Sequence, residues 1–119
     1  MSSVDARHER LMRSGKACHV VRDYIAHFAN PLRLRILCAL SAGEAGVSEL
    51  VSITEARQPA VSQQLNLLRL SGVVSRRRDG NRSEYQLADP IAEELMQAIF
   101  TVAEKLIARE ETELEAGAC

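Results

Sequence analysis

At 119 residues, 46% of them hydrophobic and 26% charged, the chain holds enough apolar mass for one core and too little for two. Its apolar runs fall far short of the roughly 20 residues that cross a bilayer. The opening stretch, with Asp5, Arg7, Glu9, Arg10, Arg13 and Lys16, lacks the apolar segment of a secretory signal, so a cytoplasmic protein with no membrane partner is expected. Aromatic residues make up only 3% and Trp is absent, which leaves the core to Leu, Ile, Val and Ala.

The net charge of −1 conceals a strong asymmetry. Residues 1–56 are nearly balanced, 57–82 carry six arginines against Asp79, and 83–119 hold nine acidic groups against two basic ones. A phosphate backbone responds to local potential within a Debye length, so the middle segment is the candidate nucleic-acid face and the acidic last third is expected to point away. Cys18, Cys38 and Cys119 are widely spaced without a CxxC pair, which indicates free thiols rather than a disulfide framework or a zinc knuckle.

In chain order, Leu11, Cys18, Val21, Ile25 and Phe28 recur at helical spacing and predict one long first helix within about 5–29. Asn30-Pro31 can cap and start a second helix, with Leu34, Leu37 and Leu40 inward through Ser41. Gly43 and Gly46 mark a loop, after which Ser48 is the expected cap of a short third helix that buries Val47, Leu50 and Val51. A turn over 54–58 leads to a fourth helix starting at Pro59, with Val61, Gln64, Leu65 and Leu68 on one side and an end near Gly72. Two short helices across a tight turn make a helix-turn-helix. Val73–Arg78 and Ser83–Leu87 flank Asp79-Gly80-Asn81-Arg82 and predict a β-hairpin. Asp89-Pro90 opens a last helix over about 90–112, with Ile91, Leu95, Ile99, Val102 and Leu106 at near-heptad spacing and a tail frayed after Glu111.

The expected fold is thus mainly α with a small β-hairpin, a winged helix-turn-helix in the order α-α-α-α-β-β-α, as one domain over 1–119. The second helix of a helix-turn-helix enters the major groove by its N-terminal residues, which here are Ser62, Gln63 and Asn66, with Arg57 and Gln58 at the mouth. Gln and Asn can read adenine, and Ser can reach phosphate or base. On the wing, Arg76, Arg77, Arg78, Asn81 and Arg82 are placed to meet phosphates or a minor groove, with binding that weakens as salt rises. A solvated polar helix face and a solvated charged turn are the plain alternatives for each feature alone. Together, and after a short helix, they point to double-stranded operator DNA. No GxSxG, HExxH or Gly-rich phosphate loop is present, so neither an enzyme nor a cofactor is expected.

Ala29-Asn30-Pro31-Leu32-Arg33-Leu34-Arg35-Ile36-Leu37, Val47-Ser48-Glu49-Leu50, Gln58-Pro59-Ala60-Val61-Ser62-Gln63-Gln64-Leu65, Gly72-Val73-Val74, the basic turn and Tyr85 together resemble the ArsR/SmtB family over roughly residues 20–108. The resemblance implies a homodimeric repressor joined through its N-terminal (about 5–29) and C-terminal (about 90–112) helices, released from its operator by a small inducer. The family's thiolate metal ligands would fall at Val51 and Ile53. Its zinc-type set would fall at Asp89, Ile91, Val102 and Lys105, of which only Asp89 can ligate.

Cys38 falls where the persulfide- and redox-sensing branch carries one of its two reactive cysteines. The second, expected near Glu104 or Lys105, is missing, which leaves Cys18 or Cys119 as its partner. A reactive-sulfur or oxidant sensor at Cys38 with Cys18 stands beside the plainer reading of small buried apolar residues. A soft-metal, arsenite-type repressor and a winged-helix dimerisation or docking module without DNA binding are the remaining alternatives. His19, Asp23 and His27 recur every four residues and form a stripe that could ligate a metal, a pattern that surface helices also produce by chance.

Overall fold

The computed structural model describes residues 5–117, so Cys119 lies outside the described residues. Six helices and a two-stranded hairpin follow in the order α1 (Ala6–Arg13), α2 (Gly15–Ala29), α3 (Pro31–Ser41), α4 (Val47–Thr54), α5 (Gln58–Leu70), β1 (Val74–Asp79), β2 (Arg82–Leu87) and α6 (Pro90–Gly117). The mainly helical winged architecture expected from the sequence is therefore present, with one more helix.

The extra helix comes from Ser14. Its backbone is extended at φ −96°, ψ 108°, and its hydroxyl accepts from the Ala17 N–H, so it closes α1 and caps α2 where periodicity alone reads one helix. Asn30 is the cap expected of it: Oδ1 accepts from the Leu32 and Arg33 N–H groups at 3.0 Å each, and Pro31 follows. The third expected cap is displaced. Gly46, not Ser48, precedes α4, and Glu49 Oε1 reaches back to accept from the Gly46 N–H at 3.2 Å. Gly46 eases a close approach, since a Cβ there would lie in tight contact, 3.3 Å from the Ser83 carbonyl oxygen. The last helix does not fray after Glu111 but continues to Gly117, since Glu, Leu, Thr and Ala sustain a helix until the first glycine.

The core is aliphatic. Ile36, Leu37 and Leu40 of α3, Leu50 of α4, Val61, Leu65 and Leu68 of α5, Val73 and Val74, and Ala92 and Met96 of α6 pack together with Phe28 and Tyr85. On α6 the near-heptad stripe divides: Leu95 and Ile99 lean on the core, whereas Ile91, Val102 and Leu106 stay exposed. Leu11, Cys18, Val21 and Ile25 are likewise exposed, and Phe28 alone of that stripe is buried. Tyr24 links α2 to α6 by donating to Asp89 Oδ2 at 2.8 Å. Burial, then that hydrogen bond, raises the Tyr24 phenol above its ordinary range and keeps it a donor. Asp89 Oδ1 meanwhile accepts from the Ile91 N–H, so one carboxylate caps α6 and holds α2.

Candidate nucleic-acid interface

α4 and α5 form the helix-turn-helix. The turn between them passes through Glu55, whose φ of 58° is left-handed, and α5 opens with Pro at its first turn after Arg57. Val61, Leu65 and Leu68 are fully buried and fix the rotation of α5. That rotation turns Ser62, Gln63 and Asn66 outward, and Arg57 and Gln58 are exposed at its N-terminus. Asn66 Oδ1 accepts from Arg69 at 3.1 Å, which adds to the exposed face an arginine that the sequence reading passed over. Gln64 is half-buried, and its Oε1 accepts from Arg33 at 2.8 Å.

Arg33 was also missed as a structural residue. Its guanidinium donates to the Ala26 and His27 carbonyls at the end of α2, at 3.2 Å each, as well as to Gln64 on α5. One side chain thus satisfies two of the last four carbonyls of α2 and links them to α5.

The hairpin is antiparallel in the register Val74↔Leu87 through Asp79↔Arg82, with Gly80 supplying the positive φ of 66° that its two-residue loop requires. α5 packs against β1, the first strand of the ribbon. Arg76, Arg77, Arg78, Asn81 and Arg82 are all exposed. They are not electrostatically alike. Arg77 makes a two-point contact with Glu44, at 3.3 Å from Nε and 2.8 Å from Nη2, and its Nη1 lies 3.9 Å from Asp79. Arg82 lies 3.5 Å from Glu49 and 3.4 Å from Glu84. The Arg77 hydrogen bond holds the Glu44 carboxyl below its usual range, and the same bond raises the guanidinium. Arg76 and Arg78 have no ion-pair partner among the described residues. Glu84 also places one acid of the last third on the ribbon itself, against the expectation that this third points away.

The candidate sensor residues are dispersed. Cys38 is half-buried on α3 against the core, and burial raises its thiol pKa. Cys18 is exposed on α2, in an apolar hollow with Leu11, Val21, Ile25 and Ala29. Both thiols are free. The helical stripe proposed as a metal alternative does not converge: no group of three His, Cys, Asp or Glu that could hold a metal occurs among the described residues, and His19, Asp23 and His27 serve elsewhere or face solvent. Asp23 accepts from Arg22 at 2.9 Å, and half-buried His27 packs edge-on to Tyr24 at 6.3 Å.

A helix-turn-helix followed by an arginine-bearing hairpin is the winged helix-turn-helix architecture of DNA-binding regulators. Residues 30–76 match the family described as bacterial regulatory protein, arsR family. The chain is 36% identical over 87 residues to the biofilm growth-associated repressor of Xylella fastidiosa, which takes in 73% of this chain and 76% of that one. The chain belongs to the arsR family of bacterial regulatory proteins. The repressor of the same name from Agrobacterium fabrum is 40% identical over 74 residues, 62% of this chain and 63% of that relative's length, so the chain spans less than two thirds of it. Among solved structures, the transcriptional repressor BigR from Xylella fastidiosa superposes with a TM-score of 0.68 at 36% identity, over 73% of this chain and 89% of that one. The homodimeric winged helix-turn-helix DNA-binding domain Mb0332 from Mycobacterium bovis gives 0.68 at 27% identity, over 92% and 95%. No helix among the described residues is long and apolar enough to cross a membrane.

Proposed function

We propose that the chain is a homodimeric repressor that reads operator DNA with Gln58, Ser62, Gln63 and Asn66 of α5, with Arg57 at the mouth and Arg76, Arg77, Arg78, Asn81 and Arg82 as its basic flank. The observation that carries this is the exposed polar side of α5, left outward by buried Val61, Leu65 and Leu68, on a helix that packs against the arginine ribbon. Two such faces, one per protomer, would meet half-sites about one helical turn apart.

Gln63→Ala is the direct test. In a titration of a duplex taken from upstream of the gene's own operon, the variant is expected to lose about 1–3 kcal/mol of specific binding, the worth of one bidentate base contact. Binding to a random duplex should hold steady. A parent protein that ignores both duplexes at low ionic strength ends the proposal in favour of a docking module.

Dimerisation is supported by the exposed apolar faces of α1, α2 and α6. A groove of about 530 Å³ between α2 and α6 is lined by Val20, Val21, Tyr24, Ile25, Ile91 and Leu95, with Glu94 and Ala98. The homodimeric neighbour agrees with this reading.

For release from DNA we propose a thiol-reactive inducer, a reactive sulfur species or oxidant, acting at Cys38 with Cys18 as the candidate partner thiol. The position of Cys38 on α3, against the core that orients the reading unit, supports it. A raised thiol pKa means that little thiolate is present at neutral pH, so alkylation of Cys38 by iodoacetamide should accelerate as pH rises above the ordinary thiol range. Cys38→Ser should abolish release by polysulfide or diamide while leaving operator binding intact. A Cys38→Ser protein released as readily as the parent removes this part of the proposal.

A further inference from the structure

We propose that the segment Glu44–Glu49 is a strap that fixes the angle of the wing, so that Arg77 and Arg82 are positioning residues and the phosphate contacts fall to Arg76 and Arg78. This rests on the reading of the ribbon as a DNA-facing wing.

A two-stranded hairpin alone is marginal in water, so something must hold it against the helix-turn-helix. Its base is held by Val74, Tyr85 and Leu87 packed on the core, and the polar fastenings beyond that base come from the six residues before and into α4. Ala45 pairs with Tyr85 by two backbone hydrogen bonds, the Ala45 N–H to the Tyr85 carbonyl at 3.0 Å and the reverse at 2.8 Å. Gly46 lets the strap approach the Ser83 carbonyl without the tight 3.3 Å contact that a Cβ would make there. Glu44 receives Arg77 at two points, and Glu49 receives Arg82 while also closing the first turn of α4.

Alternation along the strands then sorts the charges. Arg77 pairs across from Glu84, and residues two apart on a strand share a face, so Arg77, Asp79, Arg82 and Glu84 lie together on one face of the ribbon. With Glu44 and Glu49 added, that face is charge-compensated and pinned to the strap. Arg76 and Arg78 share the other face, with no acid paired to them among the described residues. A guanidinium already engaged by a carboxylate releases few counterions on meeting a phosphate, whereas one without a partner contributes fully to the salt dependence.

Simple electrostatics makes the opposite forecast. Removing the negative charge of Glu44 beside a DNA face should tighten binding if Arg77 is then freed for phosphate. The strap reading makes it weaken.

The test is the salt dependence of binding to a labelled random-sequence duplex of roughly 30 base pairs, for which phosphate contacts alone count. Arg76→Ala and Arg78→Ala should each flatten the log–log slope by about 0.9 per protomer. Glu44→Gln and Arg77→Ala should each weaken binding by roughly two- to fivefold, the range of an exposed ion pair, with the parent's slope kept. The charge-swapped double variant Glu44→Arg, Arg77→Glu should recover the parent's affinity and slope, which a lost phosphate contact would not allow. A Glu44→Gln protein that binds as the parent does, or more tightly with a steeper slope, overturns the strap. Slopes unchanged in both Arg76→Ala and Arg78→Ala instead remove the DNA-facing wing on which it rests. All of these side chains are exposed, and a circular-dichroism melt of each variant checks that the fold is kept.

Discussion

A protein carrying Ile25→Glu and Leu106→Glu is expected to sediment as a monomer and to lose roughly 10²- to 10⁴-fold of its affinity for a two-half-site operator. Ten of the thirteen large hydrophobic side chains left exposed among the described residues sit on α1, α2 and α6. Contiguous apolar surface of that kind is rare on a monomer and marks a protein contact. Ile25 is 49% exposed and Leu106 45%, so a carboxylate at either site costs the isolated protomer little. In a dimer joined through these helices the same carboxylates would be desolvated without a partner. The large drop in affinity follows because a second half-site, once tethered, is met at millimolar effective concentration, an advantage a monomer forfeits. A variant that still sediments as a dimer and binds like the parent would move the interface elsewhere.

The second large effect belongs to the core. Leu65→Ala is expected to cost about 2–5 kcal/mol of unfolding free energy, a large share of the roughly 5–15 kcal/mol that a domain holds. Leu65 is 0% exposed and sits between Val61 and Leu68 on the side of α5 that fixes its rotation. Leu70, one turn on and 74% exposed, supplies the control: Leu70→Ala should change stability by less than about 0.5 kcal/mol. Urea denaturation at one fixed protomer concentration makes the comparison, since association adds its own contribution to apparent stability. Equal losses for the two leucines would mean that α5 does not dock by the side described.

What was legible in the sequence was what local chemistry dictates. Asn30 before Pro31, Asp89 before Pro90 and Gly80 in the hairpin loop each act through neighbours two or three residues away, and each does what its residue type implies. The outward polar side of α5 followed from the spacing of Val61, Leu65 and Leu68. The split of the first helix was less visible, because Ser14 interrupts the backbone without interrupting the apolar stripe. Gly46 displaced Ser48 as a cap because the deciding hydrogen bond comes from the side chain of Glu49, and the deciding space from a strand nearly forty residues later. Least legible were the partners of the arginines. Arg77 and Glu44 are 33 positions apart and Arg33 and Gln64 are 31 apart, so no periodicity joins them. Read along the chain, the arginines of the hairpin looked interchangeable; folded, two are engaged by acids brought from the segment that leads into α4.

The guanidinium of Arg33 is a flat, rigid fork whose nitrogens cannot turn independently of one another. It grips the final carbonyls of α2 with one part and an amide of α5 with another. In the proposed assembly, α2 lies at the seam between protomers and α5 in the groove of the duplex. A tilt of the first would then be handed to the second through a single planar hinge-pin, and the distance separating the two probing helices becomes a property of how the halves are mated.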